Sequence, residues 1–393
     1  MSRALADLRS HGLIETADGG QGMQVRLSRR VGLVVGVDIG RTHARAAIAD
    51  AHGLMIAAPV NRDLNEHPDD GGPHLLVLAA ELISEAITAA NESISGGSRA
   101  IMLSDLRAIG VGIPFPVSPH GATVGMFAPR LSGMPLAEIL RSLLAAGVAG
   151  KGGLSAESAI VFAKDADLGV MALWRERRQA RVEAGGDDVD LPNESLVFMK
   201  ASFGIDAGVI CHRMLITGGQ GLAGQIGHMW LPRLHGSLES TIDDDALAEP
   251  PSPCPRCNSR YCLENVASGR AILAQLRASG AAGPSSVSEL VKMLKTHQTE
   301  RIDVRNAVIG AAGLIGVTLA NAVRIADPTE IVVGGLLAEA GEIFMTPLRF
   351  AFAEASLPGL EPSISAVPPG DVRTLELRGA LALALKHVRF EWV

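Results

Sequence analysis

Apolar and polar positions along the chain follow two patterns, one over the first thirty residues and another over the rest. Residues 2–10 carry apolar side chains at helical spacing, which predicts a short amphipathic helix. Residues 13–16 and 23–27 alternate on either side of a glycine turn, which predicts a two-stranded hairpin. We therefore expect a helix, a glycine stop and a hairpin over residues 1–30.

From residue 31 the pattern changes to buried strands that alternate with amphipathic helices. Strands are predicted at 31–38, 45–50, 108–113, 195–199 and 330–335, and helices at 75–91, 135–146 and 165–181. This alternation is typical of an α/β fold, and we expect a mixed sheet. Polar stretches at 183–193 and 235–253 interrupt the alternation and predict surface loops.

Length and composition indicate a globular protein with more than one domain. The chain has 393 residues, whereas a single hydrophobic core stops growing at roughly 250 to 300 residues. Apolar residues make up 47% of the chain and charged residues 20%, which excludes disorder across its whole length. Two or three domains are therefore expected.

The charge changes sign along the chain. The formal net charge of −7 argues against a protein devoted entirely to nucleic acid. Residues 1–30, however, contain five arginines against three acidic residues, a surplus of two positive charges. That segment alone is compatible with a small DNA-binding module.

We also predict a cytoplasmic protein with no membrane partner. No stretch approaches the roughly 20 apolar residues of a membrane span, and the first residues lack the pattern of a signal peptide. Only four cysteines occur, and three of them fall within nine positions. This usage suits a metal site in a reducing compartment better than a disulfide framework.

The clearest chemical signal is a group of four soft ligands, His228, Cys254, Cys257 and Cys262. One imidazole and three thiolates suit tetrahedral zinc, and a Cys-x-x-Cys spacing with a third cysteine close by is typical of such sites. Because protein side chains would fill all four positions, we predict a structural zinc. The alternative is that the three cysteines are only buried or paired.

The same residues carry a resemblance to a known family. The segments Gly224-Gln-Ile-Gly-His228 and Cys262-Leu-Glu264, with the cysteine group between them, are similar to the signature of the ROK family of repressors, open reading frames and sugar kinases. The chain resembles an actinobacterial-type ROK transcriptional regulator with a truncated N-terminal winged helix-turn-helix. It departs from the family pattern in having two residues, not one, between the first two cysteines, and a longer loop after His228.

The resemblance implies an α/β, two-lobed fold of the actin and hexokinase type, which is ribonuclease H-like, with a partial N-terminal winged helix-turn-helix. Residues 1–30 would form the recognition helix and wing. Residues 31–163 would form the first lobe, joined by the C-terminal helix at 375–393, and residues 164–374 the second lobe with the zinc site. A sugar would bind in the cleft between the lobes.

Three segments resemble the nucleotide-binding elements of the family's kinases. Val37-Asp-Ile-Gly-Arg-Thr42 is similar to the first phosphate element, residues 201–208 to the second phosphate loop, and the glycine pair at 334–335 to the late nucleotide element. The residues implied to serve ATP and magnesium are Asp38, Gly40, Thr42, Gly204, Gly334 and Gly335.

Several positions depart from those elements. Arg41 and His43 fill places that usually hold glycine and often hold lysine, and Phe203 and Asp206 replace a threonine and a glycine. A carboxylate within about 5 Å of a phosphate would be repelled by roughly 3 kcal/mol per charge pair at an effective dielectric constant of about 20. We therefore expect ATP to bind poorly and the nucleotide site to be degenerate.

The sugar-binding positions of the family are better kept. Lys164-Asp-Ala-Asp167 resembles Asn-Asp-Ala-Asn, which makes Asp165 the catalytic base of a kinase, or a vestige of one. Gln225 stands where the family has a sugar-binding glutamate, and His228 and Glu264 match positions that contact sugar hydroxyls. The implied sugar site is Lys164, Asp165, Gln225, His228 and Glu264.

Each of these assignments has a simpler alternative. Asp165 and Glu264 are also interpretable as helix-start carboxylates, which the helix dipole favours, and His228 as a zinc ligand alone. Lys164 and Gln225 make the implied site less negative than in the family, which favours an anionic effector such as a sugar phosphate.

The first fifteen residues resemble the end of a winged helix-turn-helix, with a recognition helix, a glycine stop and a first wing strand. Ser2, Arg3 and Arg26 are the residues implied to contact operator DNA. The helices that precede a recognition helix are missing from the sequence, so we expect either a start upstream of Met1 or a remnant. The alternative is an ordinary amphipathic helix.

These observations predict a sugar-responsive transcriptional regulator of the ROK family, acting as a repressor. It would bind a sugar or sugar phosphate without efficient phosphorylation, contact operator DNA and form a homodimer or homotetramer. One alternative is a hexose or N-acyl-hexosamine kinase that uses ATP and magnesium. Another is a sugar sensor that does not bind DNA.

Overall fold

The structure is a computed structural model, and it describes residues 3–10, 14–19, 22–27, 32–64, 72–94, 100–147, 153–185, 194–231, 252–279, 283–296, 301–368, 370–371 and 374–388. The chain divides into two compact units. Unit 1 comprises Met1–Ala172 and Leu375–Val393, and unit 2 comprises Leu173–Thr374. The predicted loop at 235–253 lies outside the described residues except for its last two positions.

The N-terminal segment contains the predicted helix and hairpin. Its elements are α1 (Arg3–Ser10), β1 (Ile14–Gly19) and β2 (Gly22–Leu27). The two strands pair antiparallel from Ile14 opposite Leu27 to Gly19 opposite Gly22. Helix α1 buries none of its residues, and Arg3 is exposed. Ser2 and the side chain of Arg26 lie outside the described part, so their contact with DNA stays a prediction, as does the winged helix-turn-helix itself.

Unit 1 is built on a mixed five-stranded sheet with strand order β5-β4-β3-β6-β7. Its strands are β3 (Leu33–Ile39), β4 (His43–Ala49), β5 (Val60–Asp63), β6 (Leu106–Ile113) and β7 (Ala159–Lys164), and its helices include α2 (His74–Ser93) and α3 (Leu136–Gly147), with α4 (Asp165–Glu183) starting directly after β7. Strands β3, β6 and β7 run parallel, and β4 and β5 pair antiparallel. The mixed sheet predicted from the alternation is confirmed.

The C-terminal helix of unit 1 packs directly on this sheet. A Cβ added at Gly36 of β3 would lie 2.8 Å from Leu381 Cγ, and one at Gly110 of β6 would collide with the backbone of Ala380. Both contacts are with α10 (Leu375–Lys386). Small residues on the central strands therefore let the helix backbone approach the sheet closely.

Unit 2 contains a second five-stranded sheet, with strand order β10-β9-β8-β11-β12. Its strands are β8 (Leu196–Ala201), β9 (Ile205–Cys211), β10 (Met214–Leu215), β11 (Glu330–Gly334) and β12 (Ser363–Ala366), and its helices are α5 (Leu263–Ala267), α6 (Gly269–Ala278), α7 (Val287–Lys295), α8 (Ile302–Ala322) and α9 (Glu342–Ala355). The core lies between this sheet and the long helices α8 and α9, where Ile315, Ile331 and Phe344 are fully buried.

Two helical segments are long and apolar enough to span a membrane by length and composition, His74–Ser93 and Ile302–Ile325. Each supplies fully buried residues to the core of its unit, for example Leu82 in the first and Ile315 in the second. A core helix of a globular protein passes the same test, so this resemblance is weak evidence for a membrane span.

Candidate functional site

The predicted metal ligands converge in unit 2. His228 ends a single helical turn, Ile226–His228, and Cys262 immediately precedes α5. Cys254 and Cys257 lie in a tight loop in which Asn258, at φ 57°, donates its N–H to the carbonyl of Cys254. This left-handed residue reverses the chain, which brings both thiols to the same side as His228.

The geometry of these four residues fits a tetrahedral metal. Their ligand atoms all lie within 4.8 Å of one another, and Cys254 Sγ is 3.9 Å from His228 Nδ1. Bonds of about 2.3 Å to sulfur and 2.0 Å to nitrogen would separate tetrahedral ligands by about 3.5 to 3.8 Å. Cys254 and Cys262 are buried, with 1% and 0% exposure. The donor set and its spacing therefore suit zinc, which stays a prediction.

Hydrogen bonds among the four candidate ligands shift their pKa values. Those from Cys262 and His228 lower the pKa of Cys254 to about 3, although burial acts in the opposite direction. The hydrogen bond with Cys254, together with burial, raises the pKa of Cys262. Burial lowers the pKa of His228, but Cys254 and the charge of Glu264 outweigh it, so this pKa is raised. A metal would replace the shared proton and hold the group in its deprotonated form.

Glu264 lies two residues after Cys262, beside the predicted metal ligands. Its Oε2 accepts a hydrogen bond of 2.9 Å from the backbone N–H of Ile205, and its Oε1 lies 3.9 Å from Arg256 Nε. A Cβ at Gly204 would come within 2.7 Å of Oε2, so the second phosphate loop approaches the carboxylate closely.

Arg256, only 8% exposed, lies between Cys254 and Cys257 in the chain. The cysteine loop therefore contributes a cation to the predicted sugar-binding carboxylate, a role that the sequence analysis missed.

Two departures from the family pattern contact each other. Gln225 Nε2 donates a hydrogen bond of 2.9 Å to Asp206 Oδ2. The backbone N–H of Ala207 donates to Asp206 Oδ1 at 2.8 Å. The sequence marks both positions as unusual but gives no sign that they are partners, because nineteen residues separate them.

The first phosphate element of unit 1 is closed by its own side chains. Asp38 is fully buried at the end of β3, and its Oδ2 lies 3.0 Å from His43 Nε2 and 3.5 Å from Arg45 Nη1. The ring of His43 packs over Gly40, where an added Cβ would be 2.8 Å from Nε2. Thr42 follows in the turn and accepts a hydrogen bond from Leu64 through its carbonyl.

The glycines of the other two nucleotide elements lie together in unit 2. Gly335 has φ 84°, which favours glycine, and its Cα faces the backbone of Ala201 at the start of the second phosphate loop. Gly334 packs against the ring of Phe198. With Gly204 in the same loop, the structure brings these three predicted residues into one region.

Lys164 and Asp165 lie where β7 ends and α4 begins, within unit 1. Lys164 is 1% exposed, and its Nζ is 3.7 Å from Asp167 Oδ1. Asp165 is 9% exposed and accepts a hydrogen bond from the N–H of Ala166. This position is compatible with both interpretations of Asp165, a helix-start carboxylate and a residue that binds a hydroxyl.

Comparison with known proteins identifies the family. The model of the ROK family matches residues 182–387, more than half of the chain. The chain belongs to the ROK family. Among curated ROK relatives, the xylose repressor of Caldicellulosiruptor bescii is 22% identical over 337 residues, covering 83% of this chain and 71% of the repressor.

A second relative is an enzyme. The N-acetylmannosamine kinase of Salmonella typhi is 26% identical over 302 residues, covering 76% of this chain and 81% of the kinase. The crystal structure of a ROK family transcriptional regulator, a homolog of the E. coli MLC protein, superimposes with a TM-score of 0.66 at 16% identity, covering 98% of this chain and 87% of that one.

These likenesses settle the class of the protein. The α/β fold is that of the ROK proteins, of the actin and hexokinase type. Repressors and sugar kinases both occur among the relatives, so this chain is a sugar-related ROK regulator or kinase.

Proposed function

We propose that this ROK protein is a sugar-responsive transcriptional regulator, acting as a repressor, which binds a sugar without phosphorylating it efficiently. The observation that carries the proposal is the closed first phosphate element. Asp38, the residue that would serve magnesium and phosphate, is already paired with His43 and Arg45 at 3.0 and 3.5 Å.

The energetics of Asp38 work against nucleotide binding. A magnesium ion would have to displace two cationic or hydrogen-bonding partners from a fully buried carboxylate. The ring of His43 also fills the space beside Gly40, where backbone would approach a phosphate. Phosphoryl transfer depends almost entirely on positioning, so a displaced metal or phosphate costs most of the rate.

The second phosphate loop supports the same conclusion. Phe203, which stands in place of a threonine, packs against the core of unit 2 and offers no hydroxyl. Asp206 adds a negative charge to the same loop, and at about 5 Å a phosphate would be repelled by roughly 3 kcal/mol.

The groups expected to bind a sugar keep hydrogen-bonding capacity by contrast. Glu264 is oriented by the N–H of Ile205 and lies beside the metal ligands. With Nδ1 on a zinc ion, His228 would carry its proton on Nε2 and act as a hydrogen-bond donor. The zinc would also hold Cys262, two residues before Glu264, in place. A hydroxyl-binding site braced by a structural metal is the result.

The DNA-binding part of the proposal rests on the N-terminal segment. Helix α1 exposes most of its residues, Arg3 among them, and the hairpin β1–β2 follows it. We propose that Ser2, Arg3 and Arg26 contact an operator, and that two copies in a homodimer or homotetramer read two half-sites. If the N-terminal segment does not contact DNA, the proposed protein is a sugar sensor that does not bind DNA.

One observation favours the kinase alternative, the retention of Asp165 at the start of α4. A coupled phosphorylation assay with Mg²⁺-ATP and a panel of D-xylose, D-glucose and N-acetyl-D-mannosamine separates the two functions. We expect no turnover above that of the Asp165→Asn variant. Turnover by the unmodified chain above about 1 per second, abolished in the variant, would establish the kinase instead.

A further inference from the structure

The contact between Asp206 and Gln225 joins two positions at which this chain departs from the ROK pattern. The pattern has glycine at the first and glutamate at the second, and here they are aspartate and glutamine. The glutamine side chain donates to the aspartate at 2.9 Å. The two substitutions are therefore physically dependent on each other.

We propose that Asp206 is a specificity-determining residue of the sugar site, whose carboxylate accepts a hydrogen bond from a hydroxyl of a neutral sugar. It would replace the carboxylate that the family pattern carries at position 225, while Gln225 holds it in place. This inference rests on the proposed function, since it assumes that the site of Glu264 and His228 binds a sugar.

The chemistry of the pair explains why the carboxylate changes position and is not lost. A glutamate at 225 would put two carboxylates within hydrogen-bond distance, and two such groups cannot both ionise without a large penalty. An amide at 225 removes that conflict because its NH₂ group donates to the neighbouring carboxylate. Gln225 is thus the partner that an aspartate at 206 requires.

The position of Asp206 makes it reachable by the same ligand. It is half-buried, whereas the adjacent Ile205 is buried and donates its N–H to Glu264 at 2.9 Å. Gln225, which holds Asp206, directly precedes the helical turn Ile226–His228. Residues 205 and 206 therefore connect to both Glu264 and the segment that carries His228, the imidazole that the resemblance assigns to sugar binding.

The charge balance indicates the class of ligand. Arg256 lies 3.9 Å from Glu264, and Lys200 stands directly opposite Asp206 in the β8–β9 ladder. Among the described residues, each of these two carboxylates thus has one cation beside it, and that cation is already paired with a carboxylate. Carboxylates that are oriented by amides accept hydrogen bonds from neutral hydroxyls, and they repel anions.

The test is a double-substitution cycle read by isothermal titration calorimetry on the full chain. The ligands are D-xylose, D-glucose, N-acetyl-D-mannosamine and D-glucose 6-phosphate. The variants are Asp206→Asn, Gln225→Glu and the double variant Asp206→Gly with Gln225→Glu, which restores the family pair. Matched controls are Asp327→Asn and Gln275→Glu, exposed positions of the same unit.

We expect each single variant to weaken binding of the preferred neutral sugar by at least tenfold, because each disturbs one charged hydrogen bond. The double variant should recover to within about threefold of the unmodified chain, and the controls should change by less than twofold. Because the double variant restores a pair already used in the family, its recovery also shows that the protein remains folded.

Several results would overturn the inference. Unchanged sugar affinity in Asp206→Asn, or equal losses in Gln225→Glu and the double variant, would remove Asp206 from the site while leaving the proposed function standing. Tighter binding of D-glucose 6-phosphate than of every neutral sugar would refute the ligand class alone. Absence of binding to the whole panel by the unmodified chain would refute the proposed function and this inference together.

Discussion

Unit 1 and unit 2 each hold a buried carboxylate that the ROK pattern assigns to ligand binding, and the two have different surroundings. Asp38 in unit 1 contacts a histidine at 3.0 Å and an arginine at 3.5 Å, both from its own β-hairpin. Glu264 in unit 2 is oriented by a backbone N–H at 2.9 Å, and its arginine neighbour stays at 3.9 Å.

The difference is the basis for the proposal that nucleotide binding is lost in this chain while sugar binding is kept. Asp38 would have to give up its contacts with a histidine and an arginine before it could hold a magnesium ion. Glu264 is oriented by a backbone N–H, and its oxygens can still accept hydrogen bonds from hydroxyls. The contrast therefore favours sugar binding over phosphoryl transfer.

The largest loss of stability should follow from removing one of the predicted zinc ligands in unit 2. Cys262→Ser is expected to abolish stoichiometric zinc and to lower the free energy of unfolding by at least about 4 kcal/mol, because structural zinc contributes directly to folding. Zinc content by mass spectrometry and urea denaturation measure both. Cys211→Ser, outside the cluster, is the control. Full stability and full zinc in Cys262→Ser would contradict the assignment.

A smaller effect should follow from removing the cation beside Glu264. Arg256→Ala leaves a buried carboxylate with a single backbone donor, so we expect a loss of about 2 to 3 kcal/mol in unfolding free energy and weaker sugar binding, with zinc retained. Arg260→Ala, an exposed arginine of the same loop, is the matched control. If both variants behave alike, Arg256 does not support Glu264.

The smallest effect is expected at the closed element of unit 1. His43→Ala removes one of the two side chains that contact Asp38 while Arg45 remains, so the unfolding free energy should fall by about 1 to 2 kcal/mol. Phosphorylation activity should not appear. His120→Ala, in an exposed turn, provides the comparison in urea denaturation. A stable His43→Ala variant that phosphorylates a sugar would show that histidine alone blocks the site.

Much of the fold and the convergence of the four candidate metal ligands could be predicted from the sequence. Hydrophobic periodicity located the strands around residues 33–39 and 330–334, and the family resemblance implied the C-terminal helix. Ligand chemistry and spacing singled out His228 and the three cysteines, whose ligand atoms lie within 4.8 Å of one another. Hydrophobic periodicity is a local signal, and histidine and cysteine are rare residue types, so both signals can be recognised in a single sequence.

The contacts of Arg256, Arg45 and the Asp206–Gln225 pair could not be predicted in the same way. Each depends on side chains that tertiary structure brings together, and charged and amide residues are too common for their spacing to reveal a partner. One sequence feature pointed indirectly to Arg256: it lies between Cys254 and Cys257, where this chain has one residue more than the family pattern. The sequence indicated that Asp206 opposes phosphate, but not that Gln225 would hold it.

Binding of a sugar and binding of a nucleotide can be compared on one preparation of the chain. Calorimetry of the zinc-loaded chain should detect at least one of D-xylose, D-glucose and N-acetyl-D-mannosamine with a Kd below about 1 mM. A magnesium complex of a non-hydrolysable ATP analogue should give no binding at up to about 1 mM, with or without that sugar. Nucleotide binding with a Kd below about 0.1 mM, strengthened by the sugar, would contradict the proposed loss of nucleotide binding.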